Sequence, residues 1–423
     1  MKFQNFKLNF CREILGFYFY FIEIFYRKKA MFNDFLKNKS VLLCVSASVA
    51  FYKAYEILSL LKNYGASVRV GLSENAFNFT SDVAFEALSG HKVLCAKNQS
   101  WANGISHIDY AKSDLIIIAP ATANTINKIA AGIADNPMLD AILASNAPKI
   151  IAPSMNTKML ENPATTQALK ILKERGFCVL DTTTKYLACG EFGKGALLSP
   201  QNIIAYAIKE LKKDSFWAQK SVLITGGATS EKIDDVRAIT NFSSGKMALC
   251  LAYAYFFAGA NVRLISSNIY ENLPFESSHF LNSAQLLESI NSSKLKSNDL
   301  LVMAAAVSDF VPLNTKSGKI KKTGQNLLLE LGQNIDILGS LKLACKKIGF
   351  KMEMDKKTAL ENAKKMLVNK GLDAVCLNIL DEKNYFGSEQ NEINFISKNA
   401  LTHLELNSKI KIATQIVELS KKL

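Results

Sequence analysis

Apolar runs of strand length alternate with stretches of helical period along most of the chain. Val41-Leu42-Leu43-Cys44-Val45 is apolar throughout, as in a strand buried on both faces. Over 52–64 the apolar residues recur at helical spacing. Residues 68–70 read as a second strand and 114–119 (DLIIIA) as a central parallel strand. A helix over 123–131 and a strand over 149–152 follow. A helix over 165–175 closes at Gly176, a residue suited to a helix C-cap, and a strand covers 177–180. This alternation predicts a doubly wound sheet. The polar stretch KKDSFWAQK, residues 212–220, then precedes a fresh apolar run. The boundary is placed there, with domains over 40–215 and 216–423. The second domain is read as strands at 222–225, 261–265, 299–304 and 373–376. Its helices are a first one starting near Ser244, then 283–296, 335–347 and 356–370. The expected fold is α/β, with two doubly wound, Rossmann-like domains that share a layout but no repeat.

The length of 423 residues supports two domains, because single cores rarely grow past about 250 residues. With 49% hydrophobic and 21% charged residues the composition is ordinary for globular proteins. The net charge of +14 changes the picture more. Residues 1–39 hold eight Lys/Arg against three Asp/Glu, and the rest of the excess is spread out. A dispersed excess without an aromatic-interleaved basic stripe favours small anionic ligands over nucleic acid. Eight cysteines, at 11, 44, 95, 178, 189, 250, 345 and 376, form no C-x-x-C pair. Neither a disulfide framework nor a zinc ribbon is expected, but reduced thiols in a cytoplasmic protein. The apolar run 14–26 is too short to span a membrane, which takes about 20 residues. Arg27-Lys28-Lys29 follow it, and no signal-peptide cleavage site is evident. Residues 1–39 are therefore read as an N-terminal extension, with Met31 as the expected start and a membrane-surface anchor as the alternative.

Ligands of open α/β sheets bind beyond the carboxyl ends of the strands. There the first domain carries Ser46-Ala47-Ser48, Ser73, Pro120-Ala121-Thr122-Ala123-Asn124 and Pro153-Ser154-Met155-Asn156. Any one of these is an ordinary helix cap. Four at one sheet edge suggest a flat cofactor whose phosphate meets helix N-termini. No G-x-G-x-x-G occurs, which sets aside a nicotinamide-linked oxidoreductase. His107, one of four histidines, lies in G-I-S-H-I-D-Y just before the central strand.

In sequence order, S-H-I-D-Y, A-P-A-T-A-N-T, A-P-S-M-N-T-K-M and A-C-G-E-F-G-K-G follow one another. Over residues 40–211 this series resembles the flavin-dependent cysteine decarboxylases, and among them the phosphopantothenoylcysteine decarboxylases. The resemblance implies a flavodoxin-like flavoprotein domain with FMN lined by Ser46, Ser48, Ser73, Thr122, Ala123 and Asn124. It makes His107 the active-site histidine, places Asn156 at the substrate carboxylate and makes Cys189 the proton donor on a closing loop. In the implied chemistry, oxidation of the substrate thiol to a thioaldehyde creates an electron sink. CO2 then leaves without an unstabilised carbanion, and a returned hydride with a proton completes a redox-neutral reaction. Two positions depart from the family pattern. The first loop is poorer in Gly, and Ala196 stands where Arg is usual, with Lys194 nearby as a substitute charge.

The second half carries T-G-G-A-T-S-E, D-D-V-R, T-N-F-S-S-G-K-M, A-A-A-V-S-D-F and K-I-K-K. Ser-Ser-Gly at a helix start suits phosphate. Thr240 stands where a Walker A motif needs its first Gly. K-I-K-K alone reads as a solvated edge strand. Together the motifs resemble the phosphopantothenate–cysteine ligases over about 216–423, and the two halves come in the order of the fused bacterial enzymes of coenzyme A synthesis. The resemblance makes Asn241 the stabiliser of an acyl-cytidylate. It puts Met303, Ala304, Ala305, Asp309, Lys319, Ile335, Asp336, Ile337, Leu338, Phe350 and Lys370 around CTP, with Mg2+ as a further cofactor. Its departures are Ala248 for Gly, Ile335 for Pro, and Met366 for a basic residue beside Lys365. It further implies trimeric decarboxylase and dimeric ligase contacts, hence a homo-oligomer acting on 4'-phosphopantothenate, cysteine and CTP, with no nucleic-acid or membrane partner. The readings kept beside it are the same fusion with one active half and another flavin-dependent oxidoreductase. No metal ligands are assigned.

Overall fold

The computed structural model describes residues 32–99, 101, 106–322, 324, 326–382 and 384–423. The apolar run 14–26 and the expected start at Met31 lie outside them. The chain separates into two compact units that meet at Leu211 and Lys212.

The first unit runs β1 (Ser40–Val45), α1 (Tyr52–Asn63), β2 (Ser67–Leu72), α2 (Asp82–Ser89), α3 (Ser106–Ala111), β3 (Leu115–Ala121), α4 (Ala123–Ala131), α5 (Pro137–Ala144), β4 (Lys149–Pro153), α6 (Thr157–Glu161), α7 (Pro163–Glu174) and β5 (Cys178–Val179). It closes with the antiparallel hairpin β6 (Thr183–Tyr186) and β7 (Phe192–Ala196), then α8 (Pro200–Lys212). The main sheet is parallel throughout, in the order β2-β1-β3-β4-β5. That is the flavodoxin-like order. All seven residues of β3 are buried, as the DLIIIA run requires. Asn136 and Asn162 cap α5 and α7, each followed by Pro at the first helical position, where its missing N–H costs nothing. Ile116, Ile118, Ile126, Leu139, Ile142 and Leu172 form the core on one face. Phe32 and Leu36 are buried as well, and the Leu36 N–H donates to Tyr64 O at 2.8 Å. Residues 32–39 thus belong to the folded body and not to an extension reaching to 39.

The second unit runs β8 (Ser221–Gly226), the small hairpin β9 (Ser230–Lys232) and β10 (Ala238–Thr240), α9 (Lys246–Phe257), β11 (Asn261–Ser266), β12 (Glu276–His279), α10 (Ser283–Asn291) and β13 (Leu300–Met303). The pair β14 (Phe310–Pro312) and β15 (Leu331–Gln333) follows, then the single turn α11 (Ile337–Ser340), β16 (Lys346–Glu353), α12 (Ala359–Asn369), β17 (Ala374–Ile379), β18 (Gln390–Ser397), β19 (Leu401–Ser408) and α13 (Lys409–Ser420). Its sheet has the order β12-β11-β8-β13-β16-β17-β18-β19. The first six strands are parallel, in a Rossmann arrangement, and β18 and β19 extend it antiparallel.

Two expectations fail here. The helix read over 335–347 is only the turn α11, and Lys346–Glu353 is a strand between β13 and β17. Ile337, Leu338, Leu341 and Cys345 are all buried in one core cluster. Their helical spacing comes from a turn and a loop folding onto that core, a case of tertiary packing overriding local period. Residues 319–322 form no edge strand but an irregular loop.

Candidate functional sites at the two sheet edges

Strand order in the first unit reverses between β1 and β3, so the crevice opens at their carboxyl ends. Ser46 is fully buried there. Its Oγ donates to Pro120 O at 2.6 Å and accepts the Thr122 N–H at 2.9 Å, tying the two strand ends together. Ser48 accepts the Ala50 N–H at 3.2 Å and lies 3.1 Å from Ser154 Oγ. Thr122 caps α4 through the Thr125 N–H, and Ala123 is the buried first residue of that helix. Ser73 is half-buried and Asn124 exposed, and neither side chain has a hydrogen-bond partner among the described residues. The crevice thus offers a helix N-terminus, a free hydroxyl and a free amide. That donor set fits a flat group ending in a phosphate.

The hairpin β6–β7 carries Cys189 in its loop and docks on residues 155–157. The Met155 N–H donates to Gly195 O at 3.0 Å, and Thr157 Oγ1 donates to Lys194 O at 2.6 Å. Gly195 sits at φ +126°, and a Cβ there would lie 2.1 Å from Met155 O. Only glycine permits this approach. The docking brings Asn156 Nδ2 to 3.3 Å from Cys189 Sγ and also to 3.3 Å from Glu191 Oε2. Cys189 Sγ lies 3.9 Å from the same Glu191 oxygen. Asn156 also caps α6 through the Lys158 N–H at 2.8 Å, which leaves its amide nitrogen aimed at the loop.

Two expected site residues, Asn156 and Cys189, are therefore adjacent. His107 lies on α3 beside Gln99 Nε2 at 3.5 Å, edge-on to Trp101. No hydrogen bond among the described residues joins it to Asn156 or Cys189. Ala196 is buried in β7, with its carbonyl accepting from Thr183 Oγ1 at 3.3 Å. Lys53, at the start of α1, donates to Leu197 O at 3.0 Å. Burial, with the nearby Lys185 ammonium second, pulls the pKa of Lys53 down to about 8. Glu191 and Lys53 were passed over in the sequence, although Glu191 stands inside the A-C-G-E-F-G-K-G motif.

In the second unit the reversal falls between β8 and β13. The loops leaving these strands are laced together. Ala305 N–H donates to Thr225 Oγ1 at 3.2 Å, Ala306 N–H to Gly227 O at 2.8 Å and Ser308 N–H to Thr229 Oγ1 at 3.0 Å. Gly226 lets α9 approach, since a Cβ there would lie 2.3 Å from Ala248 Cβ. The Gly-to-Ala departure at 248 therefore faces β8. Asn241 Nδ2 donates to Val307 O at 3.0 Å, which sets it against the Ala-Ala-Val-Ser-Asp loop. Asp309 is exposed, and its carboxylate has no partner among the described residues.

Asp234 organises the basic loop. Its carboxylate accepts N–H groups of Val236 at 2.8 Å, Arg237 at 2.7 Å and Ile320 at 3.1 Å. The Ile320 N–H foremost holds its carboxyl below the usual range. Arg237 Nη2 donates to Ile320 O at 2.8 Å, and the Gly318 N–H donates to Asp235 at 2.6 Å. Lys319 is thereby pinned on both sides while its own side chain stays exposed. Lys370 Nζ pairs with Asp336 Oδ1 at 2.9 Å. Burial alone would raise the Asp336 pKa, but Lys370 and the Gly339 N–H outweigh it, and the carboxyl titrates below its ordinary value. Met303, Ile337 and Leu338 are core residues whose side chains are buried in one cluster. Ala304 and Phe350 are half-buried, and Ile335 is exposed. Met366 packs against the core while Lys365 pairs outward with Glu361 at 2.7 Å. Neither supplies the basic residue expected beside Lys370.

Among the described residues no three His, Cys, Asp or Glu side chains converge on a metal site, the cysteines are free thiols, and no helix is long and apolar enough to cross a membrane.

Fold and edge geometry define a two-unit α/β protein with a flavoprotein-like first half. The flavoprotein family is matched over residues 32–212, and the DNA/pantothenate metabolism flavoprotein C-terminal domain over 217–423. The coenzyme A biosynthesis bifunctional protein CoaBC of Bacillus subtilis is 38% identical over 397 residues, covering 90% of this chain and 97% of its own length. That of Borreliella burgdorferi is 34% identical over 391 residues, covering 90% and 99%. That of Haemophilus influenzae is 33% identical over 395 residues, covering 90% and 97%. The chain belongs to this family of bifunctional coenzyme A biosynthesis proteins.

Proposed function

We propose that the second unit joins cysteine to 4'-phosphopantothenate at the expense of CTP and that the first unit decarboxylates the product to 4'-phosphopantetheine with bound FMN. In the second unit a carboxylate of the pantothenate attacks the CTP α-phosphate and displaces pyrophosphate. The amine of cysteine then attacks the mixed anhydride. Asn241, held against the Val307 carbonyl, supports that intermediate. Lys319, Asp309, Lys370 and the backbones of 303–305 and 335–338 surround the nucleotide. Such catalysis is mostly positioning and charge stabilisation. Mg2+ bound to the triphosphate would neutralise its charge, and such an ion would need at most one or two protein carboxylates.

In the first unit Ser73, Thr122, Asn124 and the N-terminus of α4 hold the FMN, with Ser46 and Ser48 shaping the crevice. The flavin supplies the reversible two-electron oxidation of the substrate thiol. Asn156 orients the substrate carboxylate and Cys189 delivers the proton. The observation that carries this reading is the 3.3 Å approach of Asn156 to Cys189, built by a hairpin whose docking only glycine allows. His107 serves as the active-site histidine. The units act on small molecules in the cytoplasm, and the assembly is a homo-oligomer.

The test is product analysis by mass spectrometry after adding 4'-phosphopantothenate, cysteine, CTP and magnesium to flavin-loaded protein. 4'-Phosphopantetheine with CMP and pyrophosphate is the expected outcome. Phosphopantothenoylcysteine alone would mean an inactive first unit. No product with CTP or ATP would overturn the reading.

A further inference from the structure

Decarboxylation leaves a proton account that Cys189 alone does not close. Each turnover breaks one C–C bond to release CO2, and that electron pair forms a C–H bond on the carbon left behind. Electrons withdrawn from the substrate thiol are returned at the end, so the net change is the uptake of one proton. If Cys189 supplies that proton, its S–H bond breaks as the C–H bond forms. The thiolate must then recover a proton before the next substrate reacts.

The hairpin loop places one acid beside this thiol. Glu191 Oε2 is 3.9 Å from Cys189 Sγ, within reach of a sulfur hydrogen bond, and 3.3 Å from Asn156 Nδ2. The turn is closed by the Leu187 N–H donating to Glu191 O at 2.8 Å and the Gly190 N–H donating to Leu187 O at 2.9 Å. Cys189 and Glu191 therefore flank a glycine in one tight turn. Glu191 is exposed and makes no ion pair among the described residues. The Lys194 carbonyl on β7 accepts from Thr157 Oγ1, and its ammonium makes no ion pair among the described residues. The carboxylate thus touches the thiol, the substrate-side amide and solvent together.

We infer that Glu191 returns the proton to Cys189. Its carboxyl O–H breaks as the S–H bond re-forms, and the carboxylate then takes a proton from water or a buffer acid. The inference rests on the reading of Cys189 as proton donor.

The test uses the full-length flavin-loaded protein and its Glu191→Gln variant, with phosphopantothenoylcysteine as substrate. Gln keeps an oxygen for Asn156 and carries no exchangeable acid. The first turnover, measured with enzyme in excess, is expected within about 2-fold of the parent. Steady-state turnover is expected to fall on the order of 100-fold, the scale of one general acid. In Glu191→Ala, small buffer acids should restore it in proportion to their concentration. Ligation by the second unit and flavin retention check that both variants are folded. Unchanged steady-state turnover would overturn the inference. So would equal slowing of first and later turnovers without buffer rescue, because Glu191 would then only position Asn156. A Cys189→Ser variant separates the two layers: if it forms the amine product normally, the reading of Cys189 itself falls.

Discussion

Replacing Gly195 by Ala perturbs the decarboxylase site without touching any group read as chemical. The added Cβ would stand 2.1 Å from Met155 O. To clear it the two backbones must part by about 1 Å, a misplacement that costs on the order of 100-fold in rate when it reaches a catalytic group. Residue 195 also sits at φ +126°, so a side chain adds about 1–3 kcal/mol of backbone strain. Relieving both stretches the Met155 N–H bond to Gly195 O, now 3.0 Å, which is worth about 1 kcal/mol. The hairpin lifts, and Cys189 leaves Asn156. Decarboxylation should therefore fall about 100-fold, while ligation by the second unit in the same preparation stays at the parental rate. CO2 release and pyrophosphate release, followed side by side, read both halves, and flavin absorbance reports whether cofactor is retained. A Gly195→Ala protein that decarboxylates within about 2-fold of the parent would refute the claim that close hairpin docking assembles the site.

Asn241→Asp should allow pyrophosphate release and block amide formation, because a carboxylate cannot donate to Val307 O, and normal ligation would count against the assignment. Lys370→Ala removes a half-exposed ion pair worth at most about 1 kcal/mol to the fold, yet should raise the KM for CTP about 10-fold, whereas unchanged KM would place the nucleotide elsewhere. Asp234 carries a depressed pKa, so its clamp on the basic loop is present above the unfolded carboxylate pKa of about 4 and lost as pH falls through the lower folded value. Amide exchange at Arg237 and Ile320, whose N–H groups donate to Asp234, corrected for intrinsic rate, should accelerate only below that window, and acceleration near neutrality would contradict the clamp.

The strands β1, β3 and β4 and the helix α4 were legible because each is long, uniformly apolar or regularly periodic. The helices α2 and α5 were not. PMLDAILA is apolar nearly all round, with Leu143 and Ala144 apolar yet exposed, so no polar face marks its period. The hairpin β6–β7 escaped because TTKY and FGKGA lack the alternating apolar pattern of a strand, and its pairing is secured by contacts with residues 155–157. The residues 337–345 misled for the opposite reason, their helical spacing being made by a turn and a loop that bury the same core.

By itself the sequence determined two α/β halves, the strand ends that carry the candidate residues, and the motifs that resemble one enzyme family, because these depend on local period and residue identity. Only the tertiary structure decided that Asn156 meets Cys189 and Glu191, that Asp234 pins the loop bearing Lys319, and that Ile337, Leu338 and Met366 belong to the core. Those relations join positions tens of residues apart, and they are set by strand order, close backbone approach and hydrogen-bond satisfaction in the folded chain.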